Sequence, residues 1–287
     1  MWMDTFLRNL KAGLIGSGIQ ASLTPAMHMR EGASQGLGYE YQLIDLNELQ
    51  VSVDQLPKLL AESEARGLAG VNITHPCKQA VIPFLDELSD DARSLGAVNT
   101  VVFKQGKRIG HNTDWWGFAQ SFKRGLPGAD LRSAVQLGAG GAGVATAYAI
   151  LSLGLQKLMV IDREMERAEQ LAEKMTALFP QAQVVTCAQA EEAMEDTCGL
   201  IHATPTGMEN YPGLPLPAHL LQPAHWVAEI VYFPLETELL KEASRIGCRV
   251  LNGGGMAVFQ AVGAFRLFTG REPDEQRMLD HFKTLTS

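Results

Sequence analysis

The chain has 287 residues, of which 46% are hydrophobic and 20% charged, and it carries a formal net charge of −8. That length holds one large domain or two of ordinary size, and the balance is that of a globular protein. An acidic chain without a basic stripe excludes general nucleic-acid binding. The four cysteines, Cys77, Cys187, Cys198 and Cys248, are scattered without a C-x-x-C pair. Neither a disulfide framework nor a metal site is expected, and reduced thiols in a cytoplasmic protein are the default. The opening "MWMDTFLRNLKAGLIG" lacks a long apolar segment, and no run of about 18 apolar residues appears later. No export and no membrane span are expected.

In chain order, "AGLIG" (12–16), "YEYQLIDL" (39–46), "LAGVNIT" (68–74) and "AVNTVVF" (97–103) have the apolar runs of strands. Helical patterns run between them from Pro25 to about Gln35 and from Gln55 to Ala65. A second series begins at "SAVQLGAGGAGVATAYAILSLG" and continues through "KLMVIDRE", "AQVVTC", "GLIHATP", "HWVAEIVY" and "CRVLNGG". Helices are expected there over 164–178, 235–246 and 256–268. Strands alternating with helices predict α/β architecture with largely parallel sheets. "DWWGFAQSFKRGLPGADL" joins the two series, and the boundary falls near Asp114.

Gly138, Gly140 and Gly143 stand in G-x-G-x-x-G spacing, after a strand and opening a helix. Around them, Gly141 and Ala142 complete a turn whose backbone N–H groups can approach a pyrophosphate at a helix N-terminus. Asp162 ends the next strand, "KLMVID", where a carboxylate can accept hydrogen bonds from an adenosine ribose. It repels a 2′-phosphate and so favours NAD. Arg163 follows it directly, which leaves NADP open.

A nicotinamide site needs a partner that moves the proton of the reacting hydroxyl. Ligands of α/β sheets collect beyond the carboxyl ends of strands. The polar residues there in the first series are Ser22, Thr24, Asn72, Thr74, Lys78, Asn99 and Asp114. A lysine beside an aspartate can relay a proton, while amides and hydroxyls suit a polyhydroxylated substrate.

"SLTP", "NITHPCK", "GAVNTVV", "HNTDWWGF", "GAGGAG", "ATPTGM", "VYFPLET" and "GGGMAVFQA" occur in this order over nearly the whole chain. In these segments the sequence resembles the shikimate dehydrogenase family, including its quinate/shikimate branch. The resemblance implies an α/β substrate-binding domain, residues 1–113 with 256–287. It also implies a Rossmann-like, doubly wound parallel-sheet NAD(P)-binding domain over 114–255, with a cleft and a hinge between the two. It further implies reversible reduction of 3-dehydroshikimate to shikimate, with quinate a further substrate.

Matched residue by residue, Lys78 corresponds to the family's catalytic lysine and Asp114 to its partner carboxylate. Ser22 and Thr24 correspond to the hydroxyls that bind the substrate carboxylate. Asn72, Thr74 and Asn99 correspond to residues at the ring hydroxyls, and Tyr232 and Gln260 to others at the substrate. Thr204, Gly253 and Met256 fall where the family's loops follow the cofactor. Each role has a plain structural alternative: Thr24 as a helix N-cap, the asparagines as turn residues, Asp114 as a cap, Gln260 as helix surface. His75 and His111 are alternative acids, and Trp115 and Trp116 are expected in inter-domain packing.

The chain also departs from the family. "GSGIQAS" lacks the usual proline, Thr24 replaces a more frequent serine, and Glu229 stands where aspartate is usual. An NAD-dependent quinate dehydrogenase, an amino-analogue dehydrogenase and a non-catalytic NAD sensor stay open, as does the choice of monomer or homodimer. The expected partners are the small-molecule substrate and NAD, with no nucleic acid or membrane.

Overall fold

The computed structural model describes residues 9–286, so half of the opening stretch read above for an export segment lies outside the described residues. The chain divides into two compact units, Met1–Thr113 with Ala261–Ser287, and Asp114–Gln260. In the first unit, β1 (Asn9–Gly16), α1 (Thr24–Ser34) and β2 (Gly38–Asp45) are followed by α2 (Leu46–Leu49), α3 (Leu56–Ala65) and β3 (Gly70–Ile73). Then come α4 (Cys77–Ala80), β4 (Glu87–Leu88), α5 (Asp90–Leu95), β5 (Thr100–Lys104) and β6 (Lys107–His111).

The second unit runs α6 (Asp114–Gly125), β7 (Ser133–Leu137), α7 (Gly141–Ser152), β8 (Lys157–Ile161), α8 (Met165–Leu178) and β9 (Gln183–Thr186). It continues with α9 (Ala190–Met194), β10 (Gly199–His202), β11 (Trp226–Glu229), α10 (Glu238–Ile246) and β12 (Arg249–Leu251). Helix α11 (Gly254–Thr269) carries the chain back to the first unit, where α12 (Glu275–Thr286) ends it.

The second sheet has the order β12-β11-β10-β7-β8-β9, and every pairing in it is parallel. Parallel strands covered by helices on both faces must be apolar on both faces. Accordingly Ala134, Leu158, Val160 and Ile201 enter one core cluster, while their neighbours Val135, Met159 and Leu200 enter another. Strand order reverses at β7, which has β8 on one side and β10 on the other. That places the ligand crevice beyond the carboxyl ends of β7 and β10.

The first sheet has the order β2-β1-β3-β5-β6-β4. Strands β2, β1 and β3 are parallel, but β5 runs antiparallel to both β3 and β6. This sheet is therefore more mixed than strand–helix alternation predicts. The cause is the two-residue turn at Gln105 and Gly106, with φ of 54° and 72°, which closes a hairpin and needs no crossover helix. Ile15, Val71 and Val101 pack one face against Leu56, Leu59 and Leu60 of α3. On the other face Ala12, Leu14, Tyr39 and Tyr41 pack on Phe265 and Phe268 of α11.

Trp115 stands edge-on to Tyr148 at 5.1 Å, and Trp116 to Phe259 at 6.2 Å. Adjacent residues on a helix point about 100° apart, so the two indoles serve different packing sites.

The C-terminal helix is fastened by an ion pair. Arg277 on α12 donates from Nε and Nη2 to the two oxygens of Glu31 on α1, each at 2.7 Å. Asp274 N–H and Gln35 Nε2 add bonds of 3.0 and 2.8 Å to the same carboxylate. Burial alone pushes the Glu31 carboxyl up, but these donors, Arg277 first, hold it below its ordinary 4.5. Arg277→Ala leaves Glu31 buried without its cation. Removing one partner of a fully buried pair costs about 3–5 kcal/mol. Because the Arg277 side chain is 37% exposed, we expect a smaller loss, about 2 kcal/mol, in urea unfolding. An unchanged midpoint would contradict this fastening role.

Candidate active site

In the first unit the loop after β1 must bring Ser22 and Thr24 to the carboxyl end of the sheet. The Asp45 carboxylate, ending the neighbouring strand β2, holds it there. Gly18 N–H donates to Oδ1 (2.9 Å), Ile19 N–H to Oδ2 (3.0 Å) and Gln20 Nε2 to Oδ2 (3.1 Å). Asn47 N–H donates to Oδ1 at 3.0 Å. Burial raises the Asp45 pKa, but the Gln20 amide and these N–H groups hold it below the ordinary 3.8. The proline-free loop is thus fixed by a carboxylate. Helix α1 begins at Thr24 with Leu23 in the N-cap position and no side chain capping it, so the N-cap alternative for Thr24 fails. Ser22 Oγ accepts the Thr24 N–H at 3.3 Å, which brings these two hydroxyl residues together.

On the facing strands Asn72 and Asn99 share one buried network. Tyr41 Oη donates to Asn72 Oδ1 at 2.7 Å, and Asn72 Nδ2 donates to Thr100 Oγ1 (3.0 Å) and Asn99 O (3.3 Å). Asn99 Oδ1 accepts from Thr113 N–H (2.7 Å) and Thr100 Oγ1 (3.0 Å). Both Asn72 amide hydrogens are thereby used within the protein, which leaves acceptor capacity on Oδ1 for a ligand hydroxyl. Burial, and then Tyr39, push the Tyr41 phenol far above its ordinary value, so it stays a donor. His28, beneath it, is pushed down by burial to about 3 and stays neutral. Half-buried Thr74 and Lys78 flank Pro76 at the end of β3, with Lys78 inside the short α4. Cys77 between them is buried, and burial raises its thiol to about 11, which keeps it inert.

In the second unit the glycine turn lies at the switch point. Gly138 has φ of +101°, and a Cβ on Gly143 would meet Gly138 O at 2.3 Å, so neither position accepts a side chain. A Cβ on Gly140 or Gly141 would meet nothing within 4 Å, which leaves that side open to a ligand. No side chain caps the start of α7, whose first turn includes Ala142. Donors at an uncapped helix N-terminus suit a pyrophosphate, so the residues present fit a dinucleotide. Asp162 Oδ2 accepts the Ala139 N–H at 2.7 Å, which sets the turn, and each of its oxygens keeps capacity for a ribose hydroxyl. Arg163 is exposed.

Three buried polar residues, one in the first unit and two in the second, carried no sequence expectation. Gln136, fully buried in β7, donates from Nε2 to Gly138 O (2.9 Å) and Gly143 O (2.8 Å), bracing the turn from below. Asp45 and His202 are the other two. All three are polar residues within or ending apolar strands, a signal that marks a position facing a turn without naming its partner.

Thr204 stands against the turn, since a Cβ on Gly138 would meet its Cγ2 at 3.0 Å. Asp114 is buried at the start of α6, where a helix N-terminus favours a carboxylate. Burial, followed by Asp114, raises the pKa of Tyr232, so this phenol also stays protonated. Met256 and Gln260 lie one turn apart on α11, where Gln260 Nε2 donates to Ala257 O at 3.1 Å. Gly253 precedes α11, and a Cβ there would meet Ile230 O at 2.2 Å.

Two family models match the chain. One describes a shikimate dehydrogenase substrate binding domain, at residues 14–101. The other describes a shikimate 5′-dehydrogenase C-terminal domain, at residues 253–281. A shikimate dehydrogenase (NADP(+)) of Streptomyces avermitilis is 54% identical over 281 residues, 97% of this chain and 95% of the relative. A quinate/shikimate dehydrogenase (NAD(+)) of Corynebacterium efficiens is 46% identical over 95% of this chain and 97% of its own length. Among solved structures, quinate dehydrogenase from Corynebacterium glutamicum in complex with NAD superposes with a TM-score of 0.93. It is 46% identical, covering 96% of this chain and 99% of that one.

The Asp45 clasp has a direct readout. In Asp45→Ala the Gly18 and Ile19 amides should exchange with deuterium about tenfold faster, the scale of one lost net hydrogen bond. In the wild type this protection is complete above the ordinary carboxylate value and lost as pH falls through the lower folded value. Unchanged exchange at both amides would remove Asp45 from this role.

Proposed function

The chain belongs to the shikimate dehydrogenase family, and on that premise we propose that it interconverts 3-dehydroshikimate and shikimate with NAD as the preferred cofactor. Its range extends to quinate and its use of NADP is secondary. The observation that carries this reading is the set of polar residues at the strand ends of the first unit, with the buried Asn72–Asn99 network among them. Such a set offers separate contacts to a carboxylate and to several ring hydroxyls. Asp162 supports NAD, because a carboxylate at the ribose position repels a 2′-phosphate.

Roles then follow from chemistry. The unit of residues 1–113 with the C-terminal helices from 256 holds the substrate, and residues 114–255 hold the dinucleotide. Ser22 and Thr24 donate hydroxyl hydrogens to the substrate carboxylate. Asn72, Thr74, Asn99, Tyr232 and Gln260 bind ring hydroxyls, with Asn72 restricted to accepting. Backbone N–H groups of Gly138, Gly140, Gly141, Ala142 and Gly143 hold the pyrophosphate, Asp162 the ribose, and Arg163 borders it. Thr204, Gly253 and Met256 line the nicotinamide end. When bound, the dinucleotide takes up or returns the hydride. In the reducing direction the Lys78 ammonium delivers a proton to the carbonyl oxygen; in the oxidising direction the Lys78 amine removes the hydroxyl proton. Asp114 accepts a hydrogen bond from the Lys78 nitrogen and so orients both that group and the hydroxyl it serves. The enzyme acts in the cytoplasm, as a monomer or homodimer, with small molecules as its only partners.

A second reading, an NAD-dependent quinate dehydrogenase of quinate catabolism, is favoured by Asp162 together with the likeness to the NAD-named relatives. Both readings give Lys78 the same task. Lys78→Ala should lower kcat on the order of 100-fold or more, the scale of a positioned acid/base, with dinucleotide affinity kept. A kcat within a few-fold of wild type would reject the assignment.

A further inference from the structure

Beneath the second unit's crevice lies a buried ionisable pair that neither the glycine turn nor the proton transfer uses. His202 ends β10 and Glu229 ends the adjacent β11; their exposures are 0% and 1%. His202 Nδ1 lies 2.9 Å from both Glu229 oxygens. Val231 N–H donates to Oε1 at 2.9 Å, and Thr237 Oγ1 donates to Oε2 at 3.2 Å while capping α10 through Leu240 N–H. On its other side, His202 Nε2 is hydrogen-bonded to Thr204 Oγ1, which also accepts the Thr206 N–H at 3.3 Å.

Stability alone does not account for this group. A buried carboxylate loses its hydration, and apolar side chains of similar volume serve a core as well or better. What the pair achieves is geometric. One carboxylate fixes the chain just before Tyr232, the start of α10, and the rotamer of Thr204. Thr204 in turn lies against Gly138 at the switch point. The Glu229 carboxylate meets the imidazole and the Val231 N–H together.

We propose that His202 and Glu229 are positioning residues for the nicotinamide end of the dinucleotide, acting through Thr204 and the segment that carries Tyr232. This rests on the reading of the second unit as the dinucleotide site. The adenosine end is held elsewhere, by the glycine turn and Asp162, and the hydrogen bonds of the pair run instead to Thr204, Val231 and Thr237. The two ends therefore respond differently to its loss.

Calorimetric titration with NADH and with ADP-ribose, which lacks the nicotinamide, separates them without turnover. Glu229→Gln keeps the volume and removes the charge; it should weaken NADH about tenfold and leave ADP-ribose within about twofold. Thr204→Val leaves the buried pair intact and should reproduce the selective loss, which keeps the test decisive if Glu229→Gln fails to fold. Equal affinities in the variants and wild type, or loss of both ligands in step, would overturn the inference. Wild-type protein that binds neither ligand would instead overturn the dinucleotide reading on which it stands.

Discussion

A carboxylate at the end of one parallel strand, holding the turn that leaves the neighbouring strand, is the constraint on which the candidate site depends. It occurs twice through backbone N–H groups, and a third carboxylate does the same through an imidazole. Asp45 ends β2 and holds Gly18 and Ile19 beyond β1. Asp162 follows β8 and holds Ala139 beyond β7. Glu229 ends β11 and holds His202 at the end of β10. Turns at the carboxyl edge of a parallel sheet expose N–H groups that neither sheet nor helix satisfies. An ionised carboxylate answers several of them at once and makes stronger bonds than a neutral acceptor. Each of the proposed ligand-binding turns, at Ser22, at Gly140 and at Thr204, hangs from such an anchor.

This arrangement separates rigidity from chemistry. Asp45 and Glu229 are occupied by the protein's own donors, Asp162 keeps capacity for a ligand, and the proposed reacting groups, Lys78 and Asp114, belong to other positions. Preorganised donors and acceptors need little rearrangement when substrate arrives, which is where enzymes gain most of their electrostatic effect. The same division explains Gln136, an uncharged brace whose amide joins the two ends of the glycine turn through Gly138 O and Gly143 O.

Much of this was legible in the sequence where a local rule governs. The glycine spacing was readable because Gly138 and Gly143 sit where a Cβ is excluded. The second unit's strands were readable because burial on both faces forces continuous apolar runs. The β5–β6 hairpin was not, since "KQGKRIGH" is polar and its turn depends on positive φ at Gln105 and Gly106. Asp45, Gln136 and His202 escaped for one shared reason. Asp45 and His202 bond across 25 to 27 positions, and Gln136 bonds back under its own turn, so only strand register and three-dimensional closure reveal them. Glu229 is unusual at the level of sequence, and the His202 imidazole 2.9 Å away is the partner that the sequence does not show.

Turnover by the wild-type enzyme is the first thing to measure. Initial rates of nicotinamide reduction should be measured with shikimate and with quinate, each paired with NAD and with NADP. We expect reduction with shikimate, faster with NAD than with NADP, and turnover of quinate as well. No reduction with any of the four pairs, by protein that still binds NADH, would overturn the proposed activity.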